Sequence, residues 1–351
     1  MVRHRVPDQP PGSRSERPPD RMGRARRLAG SAPGDVWQAR GVTIHGPADG
    51  WVETPDGRRF WGRAGAAGLL VVDADDRVLL QHRVEWSHHG GTWGLPGGAR
   101  QFDETAVEGA LRESGEEAAV PGDALRLVFE SVLEVPPWSY TTVVARVERP
   151  FEAVISDAES IELAWVPRAD VAALPLHPGF AASWPGLEAQ LDLVPHLVVD
   201  AANVVGSRPD GWWRDRAGAA TRLLGALSAA ARTGLPADLV LAEPPTGAGA
   251  ATSWWPHVTV VLEGEARGAD ETAGGPGARA SGTAAHPVEV VRAPADGDSA
   301  IVEVVDGLRA AGGEVVVVTA DRELGDRVRA LGAGVVGPGR LLAALDALPA
   351  S

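Results

Sequence analysis

Residues 97–120 read GGARQFDETAVEGALRESGEEAAV. A Gly-Gly turn precedes a stretch of helical spacing that carries five glutamates, Glu104, Glu108, Glu113, Glu116 and Glu117, with Arg112 among them. On a helix from Asp103 to Ala119, at ~100° per residue, Val107, Ala110, Leu111, Ser114 and Ala118 share the core face. Glu113, Glu116 and Glu117, at i, i+3 and i+4, crowd one flank. Like charges at this spacing destabilise a helix by roughly 0.2–0.5 kcal/mol. They also sit in the last turn, where the helix dipole favours cations. A hard divalent ion that takes oxygen ligands, Mg²⁺ or Mn²⁺, would relieve both conflicts. The spacing alone leaves two readings open, a metal site and an acidic surface helix.

The order of the residues separates them. Gly98, five residues, Glu104, seven residues, Arg112-Glu113 and then Glu116-Glu117 resembles the Nudix box, G-x5-E-x7-R-E-U-x-E-E-x-G-U with U apolar. WGLPGG upstream and the WVP and LPLHPGF segments downstream are similar to Nudix features, so the resemblance covers about residues 36–192. It implies an α/β/α sandwich that hydrolyses a nucleoside diphosphate linked to another moiety, with water attacking phosphorus and Mg²⁺ (or Mn²⁺) screening the diphosphate. By position it implies Glu113, Glu116 and Glu117 as metal ligands, one of them a base, with the Gly97 carbonyl completing the shell. Arg112 is then the residue that orients the glutamates, Gly98 shapes the turn, and Glu104 braces the loop. A further acid from outside the box is expected at Glu159 or Glu162. Two positions depart from the pattern: Ser114 stands at an apolar position and Ala119 replaces the closing glycine, while Gly115 weakens the helix by ~1 kcal/mol relative to alanine. Beside the cleft, Trp86, His88, His89 and Trp93 are candidates for stacking a base or meeting phosphate; the alternative is that the tryptophans pack and the histidines are exposed loop.

At 351 residues the chain suits two domains. It has no cysteine, which excludes disulfides and thiolate metal sites, and no lysine, so its fixed cations are all arginine. No apolar run approaches the ~20 residues needed to span a bilayer, and the net charge of −14 disfavours broad attraction to nucleic acid or anionic lipid. Residues 1–35, rich in Arg, Pro and Gly and without a signal-peptide core, are expected to be a disordered basic tail, with Met22 an alternative start and an RNA-binding arm one use for it. A cytoplasmic location follows as an expectation. From Trp37 short apolar runs begin: AAGLLVVDADDRVLLQHR as a hairpin, strands at LRLVFESVLEV, YTTVVARVE and IELAWVP, and a helix around Trp184–Leu191.

The pattern changes near residue 193. HLVVDAANVVG, ADLVLAEPP, HVTVVLEG, VEVVRAP, EVVVVTAD and GVVGPG read as strands alternating with helices at 214–234, 299–313, 322–332 and 340–348, with a disordered Gly/Ala-rich loop near 265–286. Val-rich strands between helices indicate a mostly parallel sheet covered on both faces. Asp200 and Asp321 end strands and Asp298 precedes a helix, at the carboxyl ends where open parallel sheets bind ligands; with Asn203 they form a candidate metal site for phosphodiester hydrolysis. Glu303, Glu323, Asp215 and Asp326 are secondary candidates. These stretches resemble the NYN branch of PIN-like nucleases over residues 193–351, although Ser299 stands where such nucleases often have a second Asp. The alternative is that Asp298 caps a helix and Asp321 shapes a turn. Arg208, Arg214 and Arg216 beside Trp212 and Trp213 suit an RNA-contacting loop or a packed anchor.

Three functions fit: a Nudix pyrophosphohydrolase fused to a PIN-like ribonuclease, a non-catalytic Nudix module that senses a nucleotide and regulates the second half, and a pair of scaffolds for RNA processing. The partners implied are a nucleotide-type small molecule and, through the C-terminal half, RNA.

Overall fold

The computed structural model describes residues 46–274, 283 and 287–348; the basic tail, most of the Gly/Ala-rich loop and Met22 lie outside the described residues. The first half builds strands β1 (Trp51–Glu53), β2 (Arg59–Trp61), β3 (Ala66–Val72), β4 (Arg77–Arg83), β5 (Trp93–Gly94) and β6 (Gly97–Ala99), and helix α1 (Ala106–Ala118). Strands β7 (Leu125–Val135), β8 (Trp138–Val147) and β9 (Ser160–Pro167) follow, then helix α2 (Pro178–Glu188). The second half contains β10 (Pro195–Asp200), α3 (Ala201–Gly206), α4 (Arg216–Thr233), β11 (Leu235–Pro236), α5 (Ala237–Val240), β12 (Ser253–Trp254) and β13 (His257–Leu262). It closes with β14 (Val288–Arg292), α6 (Gly297–Ala310), β15 (Glu314–Val318), α7 (Arg322–Ala330), β16 (Gly334–Val336) and α8 (Pro338–Asp346).

The expected hairpin forms as β3 and β4, joined through Asp73–Asp76. Strand β3 also runs parallel to β8 and antiparallel to β6, which lays the Gly-Gly turn beside the central strand. Alternation along the strands sorts side chains to two faces. Leu69, Val71, Leu79, Leu127 and Val143 pack beneath α1. Leu70, Val72, Leu80, Phe129 and Val144 pack against Trp184 and Leu187 of α2. A mixed sheet with a helix on each face results.

The C-terminal sheet is wholly parallel, in the order β14-β13-β10-β15-β16. Val198, Val261, Val315 and Val317 meet α6 and α7, while Leu197, Val199, Val260 and Val316 meet α4 and α8 on the other face. Two local expectations are corrected. The strand at HLVVDAANVVG stops at Asp200, whose carboxylate accepts the Asn203 N–H at 3.1 Å and starts α3. ADLVLAEPP begins as helix α5, because Pro236 sets up a first turn that tertiary packing completes. Residues 264–274 of the Gly/Ala-rich segment form two short 3₁₀ turns against α4.

The halves also share structure. Strand β12, from the second half, pairs antiparallel with β7 at Trp254↔Phe129 and extends the first sheet to nine strands with β11. Trp254 packs against Phe129 on one face, and Trp255, 4% exposed, enters the core beneath α1 on the other.

Candidate active site

Helix α1 begins with a capping box. The Thr105 hydroxyl accepts the Glu108 N–H at 3.2 Å, and the Glu108 carboxylate accepts the Thr105 N–H at 2.8 Å, satisfying donors that helix geometry leaves free. That accounts for Glu108. At the other end Ala119 takes a left-handed conformation, φ 52°, normally occupied by glycine. The last turn is held there from outside: Val154 and Ser156 donate their N–H groups to the carbonyls of Ala118 and Glu117 at 3.1 and 3.0 Å. Ser114 is fully buried, and its hydroxyl donates to the Leu111 carbonyl at 3.2 Å. Both departures from the box are thereby absorbed.

Arg112 holds the acids in place. Its Nε and Nη2 grip both oxygens of Glu104 at 2.6 and 3.0 Å, Nη1 reaches Glu113 at 2.8 Å and Glu116 at 3.2 Å, and Nη2 also donates to the Ala99 carbonyl at 3.0 Å. Glu104 in turn accepts the Gln101 N–H at 2.9 Å, bracing the loop. The Arg112 bonds pull its carboxyl below the usual range. Glu117 points the other way and accepts the Gly97 N–H at 2.9 Å. Backbone requires the first glycine, since a Cβ at Gly97 would lie 2.4 Å from the Ala67 carbonyl; one at Gly98 would lie 2.6 Å from Glu113 Oε2 and displace that carboxylate. Burial pushes Glu117 up to about 8, reinforced by Glu113 and Asp157 against the opposing Gly97 bond. Burial also raises Glu113 despite Arg112.

The expected convergence of Glu113, Glu116 and Glu117 is corrected in one respect. Arg112 draws Glu113 and the exposed Glu116 towards itself, and the trio with oxygens within 4.8 Å of one another is Glu117, Asp157 and Glu159. The contacts of Val154 and Ser156 with the helix end deliver Asp157, which also accepts the Ser160 hydroxyl at 2.7 Å. Glu159 is thus brought to the site. Glu162 is exposed on β9 opposite His82 and is not part of the trio. Sequence reading missed Asp157, and it missed Arg83 on β4, whose charge acts on Glu117 and on His88 and His177. Arg83 Nε is buried without a hydrogen-bond partner among the described residues.

Trp93 is a packing residue, stacked on His82 at 4.7 Å and bonded through its backbone to Pro175 and His177. Trp86 is 54% exposed. His88 and His89 lie together with His177, the residue that caps α2.

In the second half, Asp200 is buried and accepts from Asn203 Nδ2 at 2.7 Å and the Thr319 hydroxyl at 2.8 Å. Asp298 feels Asp321, Asp200 and Glu263 as like charges, and burial is the larger cause of its raised pKa. Capping falls on other residues than expected: Asp296 caps α6, with Asp298 in the first turn, and Asp321 caps α7. Asp215 caps α4, Asp326 pairs with Arg329, and Glu303 and Glu323 are exposed. Glu263, missed in the sequence, follows β13 and accepts the Gly297 N–H at 2.7 Å. Trp212 lies under the Arg216 guanidinium and Trp213 is 55% exposed. No helix among the described residues is long and apolar enough to cross a membrane.

Comparison with known proteins bears on the first half. The family described as NUDIX domain matches residues 62–185. A Mycobacterium tuberculosis protein named "Putative 8-oxo-dGTP diphosphatase 3" is 49% identical over 162 residues, 43% of this chain and 74% of the relative. A Bifidobacterium longum protein named as a nucleoside triphosphate pyrophosphatase/Nudix hydrolase fusion is 42% identical over 158 residues, 42% of this chain and 33% of the relative. A crystal structure of a Nudix hydrolase from M. smegmatis shares 45% identity over 42% of this chain and 98% of its own, with a TM-score of 0.38. The box at 98–120 on a capped helix, the Arg112 network and the identity to these relatives agree: the chain belongs to the Nudix hydrolase family.

Proposed function

We propose that the first half is a divalent-cation-dependent pyrophosphohydrolase, and that its substrate is an oxidised purine nucleoside triphosphate of the kind named for the M. tuberculosis relative. The observation that carries the reading is the Arg112 network, which fixes Glu104, Glu113 and Glu116 while Glu117 is drawn onto Gly97. The donor set fits Mg²⁺ or Mn²⁺: every donor is a carboxylate oxygen, and burial raises Glu113 and Glu117 despite the charges of Arg112 and Arg83, so a bound cation would favour the ionised group. Glu113, Glu116 and Glu117 would hold the ion once Glu113 and Glu116 turn from Arg112 towards Glu117, with Asp157, already beside Glu117, at the edge of the set. When bound, the ion screens the diphosphate and makes water a better nucleophile. Glu159 is suited to take the proton of the attacking water, since no hydrogen bond ties down its carboxylate among the described residues while its oxygen lies within 4.8 Å of Glu117. Arg83, with its unsatisfied Nε, supplies counter-charge to the anionic substrate. Purified protein with Mg²⁺ should release a mononucleotide from at least one member of a nucleotide panel, and Glu117→Gln should abolish this without unfolding. Ligand binding without turnover would favour the sensing module instead. Absence of both turnover and calorimetric metal binding would defeat the hydrolase reading.

For the second half we propose a PIN-like nuclease. Its strands follow the spatial order third-second-first-fourth-fifth, whose switch point lies between β10 and β15. Asp200 ends the first of these and Thr319 and Asp321 follow the second, with Asp298 and Glu263 close enough to interact. Mn²⁺-dependent cleavage of single-stranded RNA should vanish in Asp200→Asn and Asp321→Asn. Cleavage that persists in both would belong to a contaminant.

A further inference from the structure

His88, His89 and His177 each place a ring nitrogen within 4.8 Å of the other two. Ring centroids are 4.1 Å apart for His88–His89 and 4.8 Å for His89–His177. Consecutive residues of an extended chain point to opposite sides; these two converge because His89 turns the backbone at φ 56°. That conformation strains an L-residue and suits glycine. Glycines follow at 90 and 91, yet an imidazole occupies the strained position, a pattern that marks functional loops. The third ring arrives from α2, fixed by the His177 N–H donating to the Trp93 carbonyl at 2.7 Å. No carboxylate belongs to the trio.

We propose that His88, His89 and His177 bind one transition-metal ion of the Zn²⁺, Ni²⁺ or Co²⁺ class, separate from the carboxylate site on α1. Imidazole suits such ions at nitrogen distances of about 2.0–2.1 Å, which the trio reaches by closing about an ångström. The lack of oxygen donors in the trio selects against Mg²⁺ and Ca²⁺, which are held by oxygen. His177 Nδ1 accepts the Gly179 N–H at 3.2 Å. Coordination through Nε2 therefore moves the ring proton to Nδ1 and gives up that cap bond. Three protein ligands leave a fourth position open to water or an anion.

The test uses the full chain, stripped with EDTA and titrated with Co²⁺ alone, read by visible absorption and calorimetry. One equivalent should produce the d–d spectrum of imidazole-bound Co²⁺. Glu117→Gln should retain it, and His88→Ala and His89→Gly should weaken binding at least about tenfold. His89→Gly is the decisive variant, because glycine suits that backbone and the fold should become more stable while the ion is lost. No spectrum in the wild type, unchanged affinity in His89→Gly, or loss in Glu117→Gln would each overturn the proposal.

Discussion

Replacing Glu117 by Gln isolates the central tension of the site. The buried carboxyl sits at about 8 against an ordinary 4.5, a difference of ~3.5 units, and each unit corresponds to 1.36 kcal/mol. A carboxyl whose folded pKa is raised binds its proton more tightly when folded, so stability is lost as pH climbs from 4.5 through 8. The loss reaches ~3 kcal/mol near pH 7 and levels off at about 5 kcal/mol above pH 8, as an order of magnitude. Gln keeps an oxygen to accept the Gly97 N–H and has no charge to desolvate. In EDTA, Glu117→Gln should therefore match the wild type near pH 4.5 and exceed it by several kcal/mol at pH 9. Urea unfolding at pH 5, 7 and 9 measures the gap. Saturating Mg²⁺ should restore the wild type, because an ion that binds only the folded state stabilises it by mass action, and should leave the variant unmoved. A gap that does not widen with pH, or a variant less stable than wild type at pH 9, would refute the reasoning.

Three further outcomes are expected. Gly115→Ala should stabilise by about 1 kcal/mol, since a Cβ there meets only the Val120 carbonyl at 3.7 Å, and Ala119→Gly should gain a similar amount by relieving φ 52°; thermal midpoints check both, with kcat unchanged. Arg112→Lys should lower Mg²⁺ affinity about 10–100-fold by calorimetry, because an ammonium cannot grip Glu104 bidentately while reaching Glu113. Trp255→Ala, at a 4% exposed position beneath α1, should cost about 3–5 kcal/mol and lower kcat through the helix it supports, visible as a loss in both unfolding and turnover.

The elements legible in the sequence were those whose pattern is local. The period of α1, its acids and the strand alternation on either side could be read because each is set by neighbours within a few residues. Thr105 and Glu108 are legible for the same reason. What escaped depends on contacts distant in sequence. Asp157 joins Glu117 only because residues 154–156 bond the end of α1, and no spacing rule links positions forty apart. Arg83 stands out only through its surroundings, where its Nε is buried and unsatisfied among the described residues. The α6 cap fell to Asp296, two residues upstream of Asp298, and Asp321 caps α7. Strand β12 is two residues long, too short for any period to register.

That short strand also bears on how the two halves work. A change of pattern near residue 193 suggests a seam, and the sheets do differ in kind, one mixed and one parallel. The packing ignores the seam. β12 covers the β7 edge, whose open N–H and C=O groups would otherwise be a site for unwanted pairing, and Trp254 and Trp255, at and just after its end, enter opposite faces of the first sheet. Gln190 at the end of α2 donates to the Gly249 carbonyl at 2.8 Å and accepts the Ala251 N–H at 2.9 Å, both buried. Burial of polar groups in such a bond is costly to undo, roughly 1–3 kcal/mol for each partner left unsatisfied. The core under the Nudix helix is thus completed by Trp255, a residue of the other half. Any ligand that orders or loosens the 249–257 segment acts on the floor of the hydrolytic site, so the geometry of Glu113 and Glu117 is held in part by the second half of the chain.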